Sequence, residues 1–313
     1  MSRVASNPVW LVLLGACSFG LLSTMVKLAQ QDGFLTSDIT SSQFIIGALI
    51  SWVVVWGKRT IDKKKGKLLP SVSLSQALSL MAVGTFTGLT GLLCNYSLTY
   101  LNASLAIMLL FQFTWIGVVL DAVITKKLPG KVQLVAVMLL FAGTALSTGV
   151  LQGGQTAASW PFIGVMLGLA SAVTFTLFLF GSGRAAAQAD PFVRSAYMMT
   201  GAAVVLAFIH PPVFVMNGSL EAGLWKWGLM LAVFGGALPT LLLAIGVPRL
   251  SAGFASILSA AQLPAVILVS SLVLKETFHL LQWLGVTIVL LGIAWPEIIR
   301  KIRAGKQEKS TSG

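Results

Sequence analysis

Ten apolar runs, each about as long as a bilayer is thick, govern what this chain can fold into. They cover residues 8–28, 39–56, 74–93, 103–123, 132–151, 160–180, 192–209, 224–245, 252–274 and 280–295. A hydrocarbon core of about 30 Å is crossed by roughly 20 helical residues. The runs are continuous rather than alternating, so helices are expected and barrel strands are not. Only 10% of the residues are charged and 56% are hydrophobic, whereas a soluble domain carries about 25% charged residues. A single soluble enzyme domain is therefore excluded. The first run is long for the apolar stretch of a signal peptide, has only Arg3 as a basic flank and lacks a small-residue cleavage pattern. It is read as the first retained helix.

The formal net charge is +12, which alone would suggest a polyanion. The basic residues instead sit between spans, on one side. With the N-terminus placed in the cytoplasm, only Lys27, Lys226 and Lys275 of the 21 basic residues fall outside. The positive-inside rule then puts both termini in the cytoplasm of a plasma (inner) membrane protein. Trp10, Trp52, Trp56, Trp160, Trp225 and Trp227 near span ends fit interfacial belts. The basic loop 57–73 is placed on the anionic inner leaflet. The tail 300–313 is polar, basic and expected to be disordered. The lipid bilayer is the expected surroundings, and no nucleic-acid partner is expected.

A shift of 149 residues superimposes 98–146 on 247–295 without a gap. Identities include Leu101/Leu250, Ala106/Ala255, Leu109/Leu258, Lys126/Lys275, Gln133/Gln282, Val137/Val286 and Gly143/Gly292. Apolar matches are cheap in membrane helices, but the Lys and Gln matches are less so. Five spans per half start the second half on the opposite face of the membrane. Such inverted repeats are a transporter architecture, with a site near the midplane exposed alternately to each side.

The stretch Tyr100-Leu-Asn-Ala-Ser-Leu-Ala, followed by an apolar helix and the 126–131 turn, has a clearer second copy. That copy reads Leu250-Ser-Ala-Gly-Phe-Ala-Ser, then Leu263-Pro264, then Leu274-Lys275-Glu276. Together they resemble the EamA-type repeats of the drug/metabolite transporter superfamily, over essentially all ten spans. The resemblance implies an all-α integral membrane fold of ten transmembrane helices as two inverted five-helix repeats, 1–151 and 152–299, followed by the tail. It also implies a central cavity lined by the first four helices of each repeat, with the fifth peripheral. The first copy departs from the second: Trp115 stands opposite Pro264, and Lys127 opposite Glu276. A proline kink is therefore expected only in the second copy.

No carboxylate lies near the centre of any expected span; Asp121 and Glu276 sit at helix ends. Intramembrane acids are the usual proton relays and cation sites, so their absence argues against a carboxylate-coupled multidrug antiporter. Cys17 and Cys94, taken as buried, and His210 and His279 lack neighbours at zinc spacing, and no metal or other cofactor is expected. No phosphate-cradling GxxxxGK[ST] motif occurs either. What remains is neutral and polar. Met108, Gln112 and Trp115 share a stripe of the fourth span, and Ser259 and Gln262 share a face of the ninth. Gln112 both donates and accepts, and Trp115 offers a face to an apolar or cationic group. For these the alternative is an interhelical hydrogen bond or plain packing. Asn95, Thr174 and Tyr197 are further substrate-binding candidates. Gly235, Gly236, Pro239 and Pro264 are candidate hinges, because proline removes a backbone bond. Gly84 and Gly88 read as a close-packing surface, and small residues on the fifth and tenth spans would admit a homodimer.

These features point to a membrane transporter, not an enzyme, moving small organic solutes such as amino acids or related metabolites by alternating access. A proton-coupled small-multidrug or cation exporter is the alternative. A lipid-modifying intramembrane enzyme would need a catalytic constellation at membrane depth, and a scaffold would need a binding loop.

Overall fold

The computed structural model describes residues 7–64, 72–101, 103–148, 161–273, 275 and 278–311. Arg3, Lys65, Lys67, Asn102, Trp160, Leu274 and Glu276, which entered the sequence reading, lie outside them. Within them, nine helical segments are long and apolar enough to cross a membrane, and Lys131–Ser147 is a shorter apolar tenth. The first three spans are single helices: α1 (Pro8–Gln31), α2 (Thr36–Lys64) and α3 (Leu74–Tyr100). The fourth is broken into α4 (Ala103–Leu110) and α5 (Phe113–Thr125), and the fifth is α6 (Lys131–Ser147). The second half repeats the plan. α7 (Phe162–Arg184) and α8 (Pro191–Ile209) are followed by an interrupted eighth span of α9 (Trp225–Ala232), a π-helical turn (Val233–Ala237) and α10 (Leu238–Gly246). The ninth is split into α11 (Ala252–Ser259) and α12 (Gln262–Val273), and the tenth is α13 (Leu280–Thr311).

α13 runs through most of the tail that the sequence suggested would be disordered. Arg, Lys, Gln and Glu are good helix formers, and extending an existing helix carries no nucleation cost.

The repeat is visible in local geometry. Lys126 and Lys275, one shift apart, both adopt the left-handed conformation at φ 54°. Lys126 ends α5, and a cation there complements the negative end of the helix dipole. Gln133 and Gln282 do the same job at the start of the fifth helices. The Gly130 N–H donates to Gln133 Oε1 at 3.3 Å, and the His279 N–H to Gln282 Oε1 at 2.9 Å. The two least trivial identities in the sequence are thus helix-end residues.

The breaks match as well: Phe111–Gln112 in the fourth span and Ala260–Ala261 in the ninth are one shift apart. The proline kink expected in the second copy is present, and the first copy breaks at the equivalent place without a proline. The ninth span breaks because Pro264 cannot donate to the Ala260 carbonyl, which accepts instead from the Leu263 N–H at 3.1 Å. The fourth has no proline. Its Gln112 side-chain amide donates to the Met108 carbonyl at 2.9 Å, covering a carbonyl left over where the helix changes course.

Helix pairing follows a pseudo-two-fold. α2 packs on α8, α5 on α11 and α6 on α13, each with its own counterpart. α3 lies against α7 as α10 lies against α1, and α12 lies against α1 as α4 and α5 lie against α7. Glycines permit the closest crossings. A Cβ on Gly84 would fall on the Met198 backbone and one on Gly201 on the Met81 backbone, so α3 and α8 touch main chain to main chain. At the α6–α13 crossing a Cβ on Gly143 would come within 2.8 Å of the Gly285 carbonyl. The small residues of the fifth and tenth spans are thus used between the halves of one chain.

Gly84→Leu is expected to lower stability by about 1–3 kcal/mol or more through overpacking. Thermal unfolding in detergent measures it, with Gly57→Ala as the control, because that position has open space around it.

Candidate functional site

Between the halves lies a cavity of about 760 Å³. Its mouth is ringed by Lys27, Gln30, Thr36, Thr99 and Phe278. These residues lie at or beside the connections between spans one and two, three and four, and nine and ten. The cavity therefore opens at the end opposite the two termini. This is the far end of the molecule; Lys58, Lys63, Lys126 and Lys131 lie at the other, basic end.

The floor is aromatic. Phe19, Phe111 and Phe175 line it, and Phe113 and Phe178 sit beneath, both fully buried. Phe113 meets Phe175 edge-on at 4.7 Å between centroids, and Phe19 meets Phe175 edge-on at 6.0 Å. Edge-to-face pairs of this kind hold ring positions as well as burying area. They separate the cavity from the basic end.

The walls are neutral and polar. α2 enters the membrane with Thr36, Thr40 and Gln43 on the cavity side, and α3 supplies Thr87, Thr90 and Asn95. Asn95 Nδ2 donates to Thr40 Oγ1 at 2.9 Å, which ties the two helices. Thr90 and Thr174 share a hydroxyl bond of 2.9 Å, as Thr24 and Ser270 do at 3.1 Å. Lys27 is the one charged side chain among the described lining residues.

The π turn of the eighth span brings Gly235 to the cavity wall. It releases carbonyls from the regular ladder, and two are taken up by other helices. Gln43 Nε2 donates to the Gly235 carbonyl at 2.8 Å, and Ser18 Oγ to the Phe234 carbonyl at 2.5 Å. Unpaired backbone groups at membrane depth are tolerated only where the protein or a water-filled cavity satisfies them. Gly235 leaves room for Leu22, and Gly236 for Met199, whose Cε lies 2.9 Å from where a Cβ would stand.

The EamA-like transporter family model matches residues 7–149 and again 162–295. The chain belongs to the EamA-like transporter family. One solved crystal structure, described only as that of a protein, aligns with a TM-score of 0.72 at 15% identity. The alignment covers 96% of this chain and 99% of that one, and it shows the fold alone. No curated protein matches the sequence. Family and fold make the protein a multi-pass membrane transporter of small solutes, built from two inverted five-helix repeats.

In this EamA-like transporter, Asn95 and Gln262 line the cavity, as does Gly235 among the hinge candidates. Thr174 reaches it through Thr90. The others lie elsewhere. Trp115 is 39% exposed on the outer surface, and its Nε1 donates to Gln112 Oε1 at 2.7 Å. With Met108 supplying the carbonyl that Gln112 binds, these three form a brace around the helix break. Ser259 is buried with no partner for its hydroxyl. Tyr197 packs edge-on against Trp52 at 5.0 Å, towards the basic end. Gly236 and Pro239 stand in and just after the π turn, and Pro264 just after the break in the ninth span. Cys94 lines the cavity, while Cys17 is exposed rather than buried.

Gln43, Thr40 and Lys27 were missed by sequence reasoning, although a signal was present. The run Thr36–Gln43 is dense in hydroxyl and amide groups yet starts a membrane helix. A span start placed at residue 39 assigned its first residues to a loop.

Gln43→Ala is expected to leave the Gly235 carbonyl without its partner and to cost about 1–3 kcal/mol. Thermal unfolding of the purified protein reads this. A Ser18→Ala companion should lose a similar amount through the neighbouring Phe234 carbonyl.

Proposed function

We propose that the protein exports small neutral or zwitterionic solutes, amino acids or comparable metabolites, by alternating access. The observation that carries this reading is an asymmetry between repeat-related contacts in spans four and nine. At the basic end Gly117 is packed so tightly on Ser256 that a Cβ would fall on the serine side chain. One shift away, the equivalent residues are Val266 and Ile107, and both line the open cavity. Exchanging the two contacts would close the far mouth and open the basic one. The matched breaks at Phe111–Gln112 and Ala260–Ala261 lie between them and serve as pivots.

The lining favours a neutral or zwitterionic solute. Hydroxyls and amides accept and donate without demanding charge, the aromatic floor suits an apolar side chain, and Lys27 suits a carboxylate. The distribution of basic residues supports cytoplasmic termini, and with them a cavity that faces outward. Proton-coupled export of organic cations is the less favoured reading, because the described lining carries a cation and no carboxylate.

The test is flux of a neutral amino-acid panel in proteoliposomes, with and without a pH gradient. Flux of at least one member is expected, and a panel with no flux at all would overturn the reading. In a cysteine-free background, Ile107→Cys with Val266→Cys should crosslink under a short bifunctional thiol reagent and arrest flux. Reduction of a cleavable crosslinker should restore it.

A further inference from the structure

A second, smaller cleft of about 280 Å³ lies at the basic end. Asp121 and Thr125 reach it from the end of the fourth span, Phe180 and Arg184 from the end of the sixth, and Val247 and Leu250 from around the eighth-to-ninth turn. We propose that this cleft is the entry-side recognition site for a zwitterion, with Asp121 taking the ammonium group and Arg184 the carboxylate. This rests on the reading of the protein as a carrier of zwitterionic solutes.

The repeat places the cleft on the transport path. One shift carries Asp121 to Ser270 and Thr99 to Pro248. Ser270 and Thr99 line the open cavity, and Asp121 and Pro248 line the cleft. The cleft is thus the counterpart of the far mouth, drawn in because the Gly117–Ser256 crossing beside it is closed.

The two mouths differ in chemistry. Ser270 at the far end is bonded to Thr24 at 3.1 Å. Its counterpart at the basic end is a carboxylate, which lies beside Gly253 and so reaches the start of α11. The Arg184 guanidinium, on the sixth span, rests over the Phe180 ring, 3.5 Å from its centroid. Stacking orients the planar fork and leaves its edge for bidentate binding of a carboxylate. One acid and one base thus stand on different spans, around a space on the scale of a small amino acid. Phe180, Val247 and Leu250 supply an apolar wall for a side chain. A solute lacking either charge would leave one group without a partner, and such pairing gives strong discrimination.

The experiment uses the full chain in membrane vesicles of both orientations, with leucine as the probe and its amine and carboxylic-acid analogues (isopentylamine and 4-methylpentanoate) as competitors. Asp121→Asn and Arg184→Gln should each raise the KM for leucine loaded from the basic side by about tenfold or more. The half-saturating concentration from the far side should change less than twofold. Asp121→Glu, which keeps the charge, should recover at least part of the loss. The wild type should prefer leucine over both analogues from the basic side. Leucine flux with an unchanged basic-side KM in both variants would overturn the site and leave the proposed function standing. No zwitterion flux in the wild type would overturn both. If Asp121→Asn fails to fold, Leu250→Cys provides a separate reading. Leucine should slow its labelling by an impermeant maleimide from the basic side, and the analogues should not; equal labelling with all three would overturn the site.

Discussion

A backbone carbonyl in a bilayer has no water to fall back on, and the architecture follows from that constraint. Most of the chain meets it with uninterrupted helices. Among the described residues three spans do not, and each interruption is compensated by a particular group. Gln112 covers the Met108 carbonyl in the fourth span, Leu263 takes the Ala260 carbonyl in the ninth, and Ser18 and Gln43 take those of Phe234 and Gly235 in the eighth. These interruptions lie where the two halves meet, beside the cavity. The cost of breaking a helix in a membrane is met only where another helix or the cavity supplies a partner.

The inverted repeat relates these local solutions to one another across the two halves. The two halves reach the same break by different chemistry, a side-chain amide in one and a proline in the other. What the repeat preserves is therefore the geometry of the break rather than the residue that makes it. The same holds for close contacts. Gly117 against Ser256 is the tight version of a crossing whose loose version has Ile107 and Val266 on the cavity wall. A sequence with two-fold internal similarity folds into a structure without exact two-fold symmetry, and the departure leaves one end open.

Aromatic packing supplies the barrier on the closed side. Phe113 and Phe178 are buried beneath Phe19, Phe111 and Phe175, and the edge-on contacts hold the rings across spans one, four and six. Interhelical polar bonds in membranes are individually modest, averaging about 0.6 kcal/mol. Bonds such as Asn95–Thr40 and Thr90–Thr174 are therefore weak enough to exchange in the alternating-access cycle proposed above. The main-chain contacts of α3 with α8 and of α6 with α13 fix the frame around them.

The sequence by itself determined the class, the number of spans, the inverted repeat and the family, because long apolar runs and recurring helix ends are local patterns. Lys126/Lys275 and Gln133/Gln282 were legible for that reason: each acts on its own helix terminus. The site was less legible. Gln112 and Trp115 looked like cavity groups because they share a helical stripe, but a stripe does not say which side faces a neighbour, and Trp115 faces outward. Gln43 and Lys27 gained their positions only when α2, the end of α1 and the π turn of the eighth span met. Which polar groups face the cavity was decided by tertiary structure alone, because every span is apolar on most sides and lipid and protein neighbours look alike to an apolar residue.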